Sequence, residues 1–254
     1  MPIADFGLKD KIALVTGASR GIGNAIARGL AEQGARVVLA SRKQEALEGA
    51  AEEIRNAGGE ALPVACHTGK MDMIKALFER IDSEYGRLDI LVNNAATNPY
   101  FGDVLGINEG LFDKTIEVNL KGYFFVAQES AKRMVKQGGG AIVNIASVAG
   151  IEPPPMQGVY GITKAGVISM TKAFAKELAQ FGVRVNAICP GLTETHFAKV
   201  LIDTEAIYKV ALAGIPIKRH AQPEEMVGAV IYLASPAASF TTGAVIVVDG
   251  GQTA

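Results

Sequence analysis

The run KIALVT at Lys11–Thr16, followed directly by a glycine-rich turn and a helix-period segment, constrains this chain more than any other feature. Such a short apolar run suits a strand covered on both faces, as in parallel sheets flanked by helices. The same unit then recurs. Apolar runs at 35–40, 61–66, 88–92, 141–146, 183–189 and 244–248 alternate with helical patterns at 22–33, 45–57, 71–85, 111–136, 157–181 and 223–234. Parallel strands need long crossovers, and helices supply them, so the chain reads as α/β: a doubly wound parallel sheet of about seven strands flanked by helices. With 254 residues, 49% of them hydrophobic, and no internal repeat or linker, residues 1–254 are expected to form one domain.

Composition removes several classes of function. A net charge of −1 with only 20% charged residues offers no basic stripe, so no nucleic acid partner is expected. There is no run of 18 apolar residues and no apolar h-region behind the first residues, MPIADFGLKDK, which predicts a soluble, cytoplasmic protein without a membrane span. Cys66 and Cys189 each end an apolar run and read as small hydrophobes. The histidines, at 67, 196 and 220, are dispersed, so no metal site is expected.

The glycine turn reads Thr16-Gly17-Ala18-Ser19-Arg20-Gly21-Ile22-Gly23. Glycines at these places allow a tight strand-to-helix turn and let backbone amides approach a phosphate at the next helix's amino terminus. Placed inside a βαβ unit, the turn points to dinucleotide binding in a Rossmann-type fold. An acid at the end of the second strand would pair with ribose hydroxyls and repel a 2′-phosphate. That end instead reads Ser41-Arg42-Lys43, with Arg20 available from the facing turn, which favours NADP(H) over NAD(H).

The chemistry is expected farther along. A strand at 141–146 delivers Ser147, and the following helix carries Tyr160 and Lys164 four residues apart, on one face. A phenol near pKa ~10 is a weak base at neutral pH, and an adjacent cation favours its anion. Ser147 could hydrogen-bond the reacting oxygen. Asn119 is a polar residue inside the apolar stretch 111–136, suited to a helix kink or a buried water. Asn93-Asn94-Ala95-Ala96 closes the fourth strand and Pro190-Gly191 the sixth. The loop 97–106 lies at a strand's carboxyl end, where ligands bind in such sheets. Residues 192–216 suit a mobile lid.

Thr16-Gly-x3-Gly-x-Gly23, Asn93-Asn94-Ala95, Asn119, Ser147, Tyr160-x3-Lys164, Pro190-Gly191 and Asp249-Gly-Gly together resemble the short-chain dehydrogenase/reductase family over nearly the whole chain. The resemblance implies that Tyr160 exchanges the proton, that Lys164 lowers its pKa and holds ribose hydroxyls, that Ser147 orients the substrate oxygen and that Asn119 holds a relay water. It also implies a nicotinamide contact from Thr195, with Thr193 nearby through backbone groups, and a homotetramer built on the helices at 111–136 and 157–181. Two residues depart from the pattern. Ala96 replaces a glycine, which should be tolerated, and His67 replaces an aspartate that touches adenine, which leaves that contact open.

The expected activity is NADP(H)-dependent interconversion of a ketone or aldehyde with its alcohol. The pocket is expected among Asn98, Pro99, Tyr100, Ile151, Glu152, Pro153–Met156, Leu192, His196 and Phe197. The loop at 98–102 and Ser41–Lys43 look most like the carbonyl and retinal reductase branch. The alternatives are a 3-oxoacyl-(acyl-carrier-protein) reductase docking through Lys132, Arg133, Lys136, Lys172 and Lys176, a sugar or steroid alcohol dehydrogenase, and a non-catalytic NADPH-binding regulator. Phe181, where a cation would be sought, weighs against the first, and the intact catalytic set against the last.

Overall fold

A computed structural model describes residues 4–196 and 198–254. Seven strands form one sheet: β1 Ile12–Thr16, β2 Arg36–Ser41, β3 Glu60–Ala65, β4 Ile90–Asn93, β5 Gly140–Ile145, β6 Val183–Pro190 and β7 Val245–Val248. Every pairing is parallel, in the order β3-β2-β1-β4-β5-β6-β7. The order reverses between β1 and β4, and at such a switch point the strand ends part to leave a crevice for ligands.

Helices cover both faces. On one lie α1 Gly21–Glu32 and α2 Gln44–Asn56, joined by the late α9 Val227–Ala234. Their Ile26, Leu30, Leu47, Ile54, Val230 and Leu233 pack on Val15, Val37, Leu39 and Val143. The opposite face holds α3 Met71–Tyr85, α5 Tyr123–Lys136 and α6 Gly158–Leu178. There Ile74, Phe78, Val126 and Met134 meet Leu14, Val38, Leu91 and Ile142. Alternate residues of β1 thus feed two different cores, which is why KIALVT contains so little polar surface.

The expected helix at 111–136 is observed as α4 Glu109–Ile116 running into α5 through a π-helical turn, Glu117–Gly122. Asn119 stands inside that turn, the interruption its polarity suggested. Gly122 is required there, because a Cβ would lie 2.6 Å from the Thr68 carbonyl.

The segment after β6 leaves and re-enters through a closed neck. Ala221 N–H donates to the Leu192 carbonyl and Glu194 N–H to the Ala221 carbonyl, at 2.9 and 2.8 Å. Between them lie two short helices, α7 Lys199–Asp203 and α8 Glu205–Ala213, the second with no buried residue. Among the described residues, no helix is long and apolar enough to cross a membrane.

Candidate active site

The turn after β1 is a bare backbone cradle. Gly17 and Gly21 take φ of 67° and 59°, left-handed values that are costly for residues bearing a Cβ. A Cβ on Gly23 would collide with the Gly17 carbonyl and the Asn94 amide. The cradle opens α1 at Gly21, and the first N–H groups of that helix lack intrahelical acceptors. It is tied to β4 by one hydroxyl: Thr16 Oγ1 accepts from the N–H groups of Asn94 and Ala95, at 2.8 and 3.0 Å. Asn94 Nδ2 donates back to the Thr16 carbonyl at 2.9 Å. Asn94, expected at the cofactor, thus also braces, through its Nδ2, the turn that would carry the cofactor. Ala96 has no left-handed φ, so alanine sits there without strain.

The cations expected at a ribose phosphate are free of carboxylates. Arg20, Arg42 and Lys43 are exposed, and among the described residues none joins an ion pair. Ser41 ends β2 with its hydroxyl 3.2 Å from that of Ser19, which brings the strand end and the glycine turn together. His67 follows β3 at the same edge, and its Nδ1 accepts the Gly69 N–H at 3.1 Å, which leaves Nε2 to carry the ring hydrogen. On the other side, Gly191 N–H bonds the Val248 carbonyl after Pro190 closes β6. Thr193 is buried, its hydroxyl donating to the Gly191 carbonyl at 3.1 Å. The Thr195 methyl lies 3.3 Å from where a Cβ on Gly21 would stand, so this threonine covers the cradle.

Ser147 follows β5, and its Oγ accepts the Ala149 N–H at 3.1 Å, starting a 3₁₀ turn at Val148–Gly150. The same hydroxyl is a hydrogen-bonding neighbour of the Tyr160 phenol. Burial pushes Tyr160 up to about 12, and the Ser147 bond acts against that rise. Lys164 is 1% exposed, and burial brings its ammonium down to about 7. Its Nζ lies 5.7 Å from the Tyr160 ring centroid and donates to the Ile145 carbonyl at 2.7 Å and to Tyr123 Oη at 3.1 Å. Desolvation is thus the largest influence on the Tyr160 phenol in this state, and it holds the group protonated.

Asn119 is wholly buried. Its Oδ1 accepts the Thr97 N–H and its Nδ2 donates to the Thr97 carbonyl, both at 2.8 Å. Nδ2 also donates to Thr163 Oγ1 at 3.2 Å, and Thr163 donates to the Tyr160 carbonyl at 2.7 Å. The amide thus locks the loop after β4 to the helix that carries Tyr160. Tyr123, Thr97 and Thr163 escaped notice in the sequence, and the available signal was spacing: Tyr123 is four residues after Asn119, and Thr163 abuts Lys164.

The substrate side is nearly closed. Asn98, Tyr100, Val104, Ile107, Gly158 and Tyr160 contribute to a crevice of about 10 Å³. Gly102 N–H donates to the Met156 carbonyl at 3.0 Å and stitches the loop at 98–106 to the one before α6. Met156 holds a φ of 69°, a strained value for a side chain this large. Tyr100 folds back onto its own loop, donating to the Asp103 carbonyl at 2.8 Å. Ile151, Glu152, Pro153, Pro154 and Pro155 are exposed, as is His196, while Pro99 and Leu192 are half-buried. Phe197 lies outside the described residues. A separate concavity of about 1100 Å³ lies between α3, α5 and α6 and is lined by none of these groups.

Residues 17–253 match a family model described as Enoyl-(Acyl carrier protein) reductase. Dehydrogenase/reductase SDR family member 4 of Bos taurus is 40% identical over 245 residues, 96% of this chain and 88% of the relative. A 3-oxoacyl-(acyl-carrier-protein) reductase of Thermotoga maritima is 41% identical over 96% of this chain and 98% of its own length. A gluconate 5-dehydrogenase from Burkholderia cenocepacia, solved in complex with NADP and tartrate, superposes with a TM-score of 0.94 at 35% identity, covering 98% of this chain and 97% of that one. An NAD+-bound xylitol dehydrogenase superposes at 0.91 with 32% identity over 96% and 99% of the two chains. The chain belongs to the short-chain dehydrogenase/reductase family and is an oxidoreductase acting on the CH–OH/C=O pair.

Proposed function

We propose that this chain is an NADP(H)-dependent carbonyl reductase that interconverts a hydrophobic ketone or aldehyde with its alcohol. The observation that carries the reading is the buried Tyr160 phenol beside the Ser147 hydroxyl, at the same sheet edge as the glycine cradle. Gly17, Ser19, Gly21, Ile22 and Gly23 would hold the pyrophosphate, with Ala95, Gly191, Thr193 and Thr195 on the nicotinamide side. Arg20, Ser41, Arg42 and Lys43 would take the 2′-phosphate and His67 the adenine side. NADPH, when bound, supplies the hydride. NADP-bound and NAD+-bound relatives share this fold, so the preference for the phosphorylated cofactor rests on the cations after β2 and the lack of an acid there.

Tyr160 is protonated at neutral pH, which suits proton donation to the oxygen of a carbonyl undergoing reduction. Ser147 donates a hydrogen bond to the same oxygen as charge develops. The Lys164 cation stabilises the phenolate left behind, and Asn119 fixes the helix on which both side chains stand. A relay water beside Asn119 would have to use the second lone pair of Oδ1 or main-chain groups, because the amide N–H groups are engaged.

The carrier-protein reading is weaker. Lys132 and Arg133 are bound to Glu129, and Arg133 also to Asp82, which leaves less free positive charge for an acidic partner. The groove between α5 and α6 instead exposes Phe124 and supports assembly through these helices into a homotetramer. A sedimentation experiment that finds only monomer would rule this assembly out.

The function is tested by following nucleotide oxidation with NADPH and with NADH across aromatic ketones, diketones, retinal, an acetoacetyl thioester and sugar acids. Turnover of aromatic or dicarbonyl compounds with NADPH is expected, and preference for the thioester would overturn the substrate class. Arg42→Ala should weaken NADPH by about 10- to 100-fold, the size of one charge-assisted contact, and leave NADH nearly unchanged.

A further inference from the structure

We infer that Tyr123 is a positioning residue for Lys164, its hydroxyl fixing where the ammonium points and helping to hold it charged. The inference rests on the proposed roles of Tyr160 and Lys164 and adds a residue from a different helix.

Lys164 is a buried amine with no carboxylate partner among the described residues. An ammonium removed from water needs its N–H groups satisfied or it gives up its proton. Two oxygens meet it. One is the Ile145 carbonyl, a main-chain acceptor that β5 presents whatever its side chains. The other is Tyr123 Oη, a side-chain oxygen that accepts from Nζ at 3.1 Å.

The geometry gives Tyr123 a defined direction. Its own hydrogen is donated to the Ile145 carbonyl at 3.0 Å, so a lone pair of the phenol oxygen is left for Nζ. The three atoms form a closed triangle between α5, β5 and α6. Nζ also lies 4.8 Å from the Tyr123 ring centroid, within cation–π range. The ring is 1% exposed and its hydroxyl hydrogen is held, so the arrangement has little freedom to shift. Two of the three ammonium hydrogens are thereby taken, and the third remains for the Tyr160 side of the site.

The titratable groups around Nζ are few. They are Tyr160 on its own helix, Tyr123 on α5 and Cys189 on β6. Burial pushes the Cys189 thiol up to about 11 and Tyr123 higher than its ordinary value, so neither becomes an anion near neutral pH. A neutral phenol that accepts a hydrogen bond still favours ammonium over amine, because charged donors bind the stronger. Removing it should let Lys164 lose its proton more readily.

The test is Tyr123→Phe, which keeps the ring and removes the hydroxyl. The alkaline limb of the pH profile of kcat/KM for carbonyl reduction should move toward acid by about one unit, the size expected for one hydrogen bond to a charge. Above that limb the activity should fall about tenfold, and below it change little. A purely packing role predicts the same limb in both proteins, so an unmoved limb overturns the inference, whether the rate is preserved or lowered equally at all pH values. If the phenylalanine variant fails to fold, site-specific 3-fluorotyrosine at position 123 serves instead: its oxygen is a poorer acceptor, and a smaller shift in the same direction is expected, while no shift overturns the inference. Tyr160→Phe is measured in parallel. Near-normal turnover in that protein defeats the proposed mechanism itself, whereas its loss with an unmoved Tyr123→Phe limb defeats only the role of Tyr123.

Discussion

The glycine cradle and the segment at 192–221 face the same cleft but are held by different forces. The cradle is locked from below: Thr16 Oγ1 accepts two N–H groups, Asn94 caps the turn, and Gly23 lies against both. The segment beyond β6 has its backbone neck and then side-chain contacts at the surface. His220 Nε2 lies 3.2 Å from Glu194 Oε2, and Nδ1 lies 2.7 Å from the Tyr208 hydroxyl. Gln222 Nε2 donates to the same Glu194 oxygen at 2.8 Å. Buried hydrogen bonds fix the cradle, whereas the segment at 192–221 buries only a few residues, Thr193, Ala198 and Ile215 among them, and joins Glu194, Tyr208, His220 and Gln222 through contacts nearer to water. A cofactor site can be preformed, whereas the segment after β6, if it serves as the proposed lid, has to open.

That contrast can be broken most forcefully at the cradle. Gly23→Val should abolish nucleotide binding, because the added atoms fall on the Gly17 carbonyl and the Asn94 amide, and overpacking should cost about 1–3 kcal/mol of stability. Calorimetric titration with NADPH checks the first effect and thermal unfolding the second. Retained affinity would mean that the cradle is as adaptable as the lid.

A smaller effect, of opposite sign for stability, is expected on the floor of the site. The folded-state value of Lys164, about 7, lies below its ordinary 10.5, so the folded chain binds fewer protons than the unfolded one between those values. Stability from this group therefore rises with pH across that window, and the cost of burying the charge is complete below about pH 7. Lys164→Met should raise Tm by several degrees at pH 6, lose that advantage toward pH 10, and remove turnover throughout. A Tm gap independent of pH would show that the lysine is not carrying a buried charge.

The smallest effect belongs to the segment after β6, proposed as a lid. Tyr208→Phe removes one hydrogen bond to His220 and should change Tm by less than about 3 °C. Its kcat and KM should instead move together by a few-fold, which steady-state kinetics would detect. If Tm fell as far as in the Gly23 variant, the lid would be part of the core framework.

Legibility followed the same division. Most strand and helix boundaries from the periodic pattern stand within a residue or two of those observed, and Met71–Tyr85 coincides at both ends, while α6 ends at Leu178 rather than 181 and α9 starts at Val227 rather than 223, each next to a 3₁₀ turn. Burial on two faces leaves a strong hydrophobic signal, as in β1, and glycine turns mark the breaks. The π turn at Glu117–Gly122 was not legible as such, because its residues keep ordinary helical periodicity and only the polarity of Asn119 stands out. Tyr123 reads as one more aromatic in an apolar helix until its hydroxyl is seen against Lys164. The Glu194, His220 and Tyr208 contacts join residues 26 and 12 apart through loops, where no period constrains which side chains meet. The upward direction of the Tyr160 shift was also hidden, since Tyr-x-x-x-Lys spacing brings a cation near without revealing how completely the phenol is buried.

The central claim is that the Tyr160 phenol supplies the proton for carbonyl reduction, and it is tested most directly by Tyr160→Phe with NADPH already bound. The variant should bind NADPH as the unaltered protein does, since only an oxygen is lost. Single-turnover reduction of an aromatic ketone should slow by about 10²- to 10⁴-fold, the range for loss of a positioned general acid. A rate within a few-fold of the unaltered protein, with binding intact, would contradict the assignment of Tyr160 as the acid.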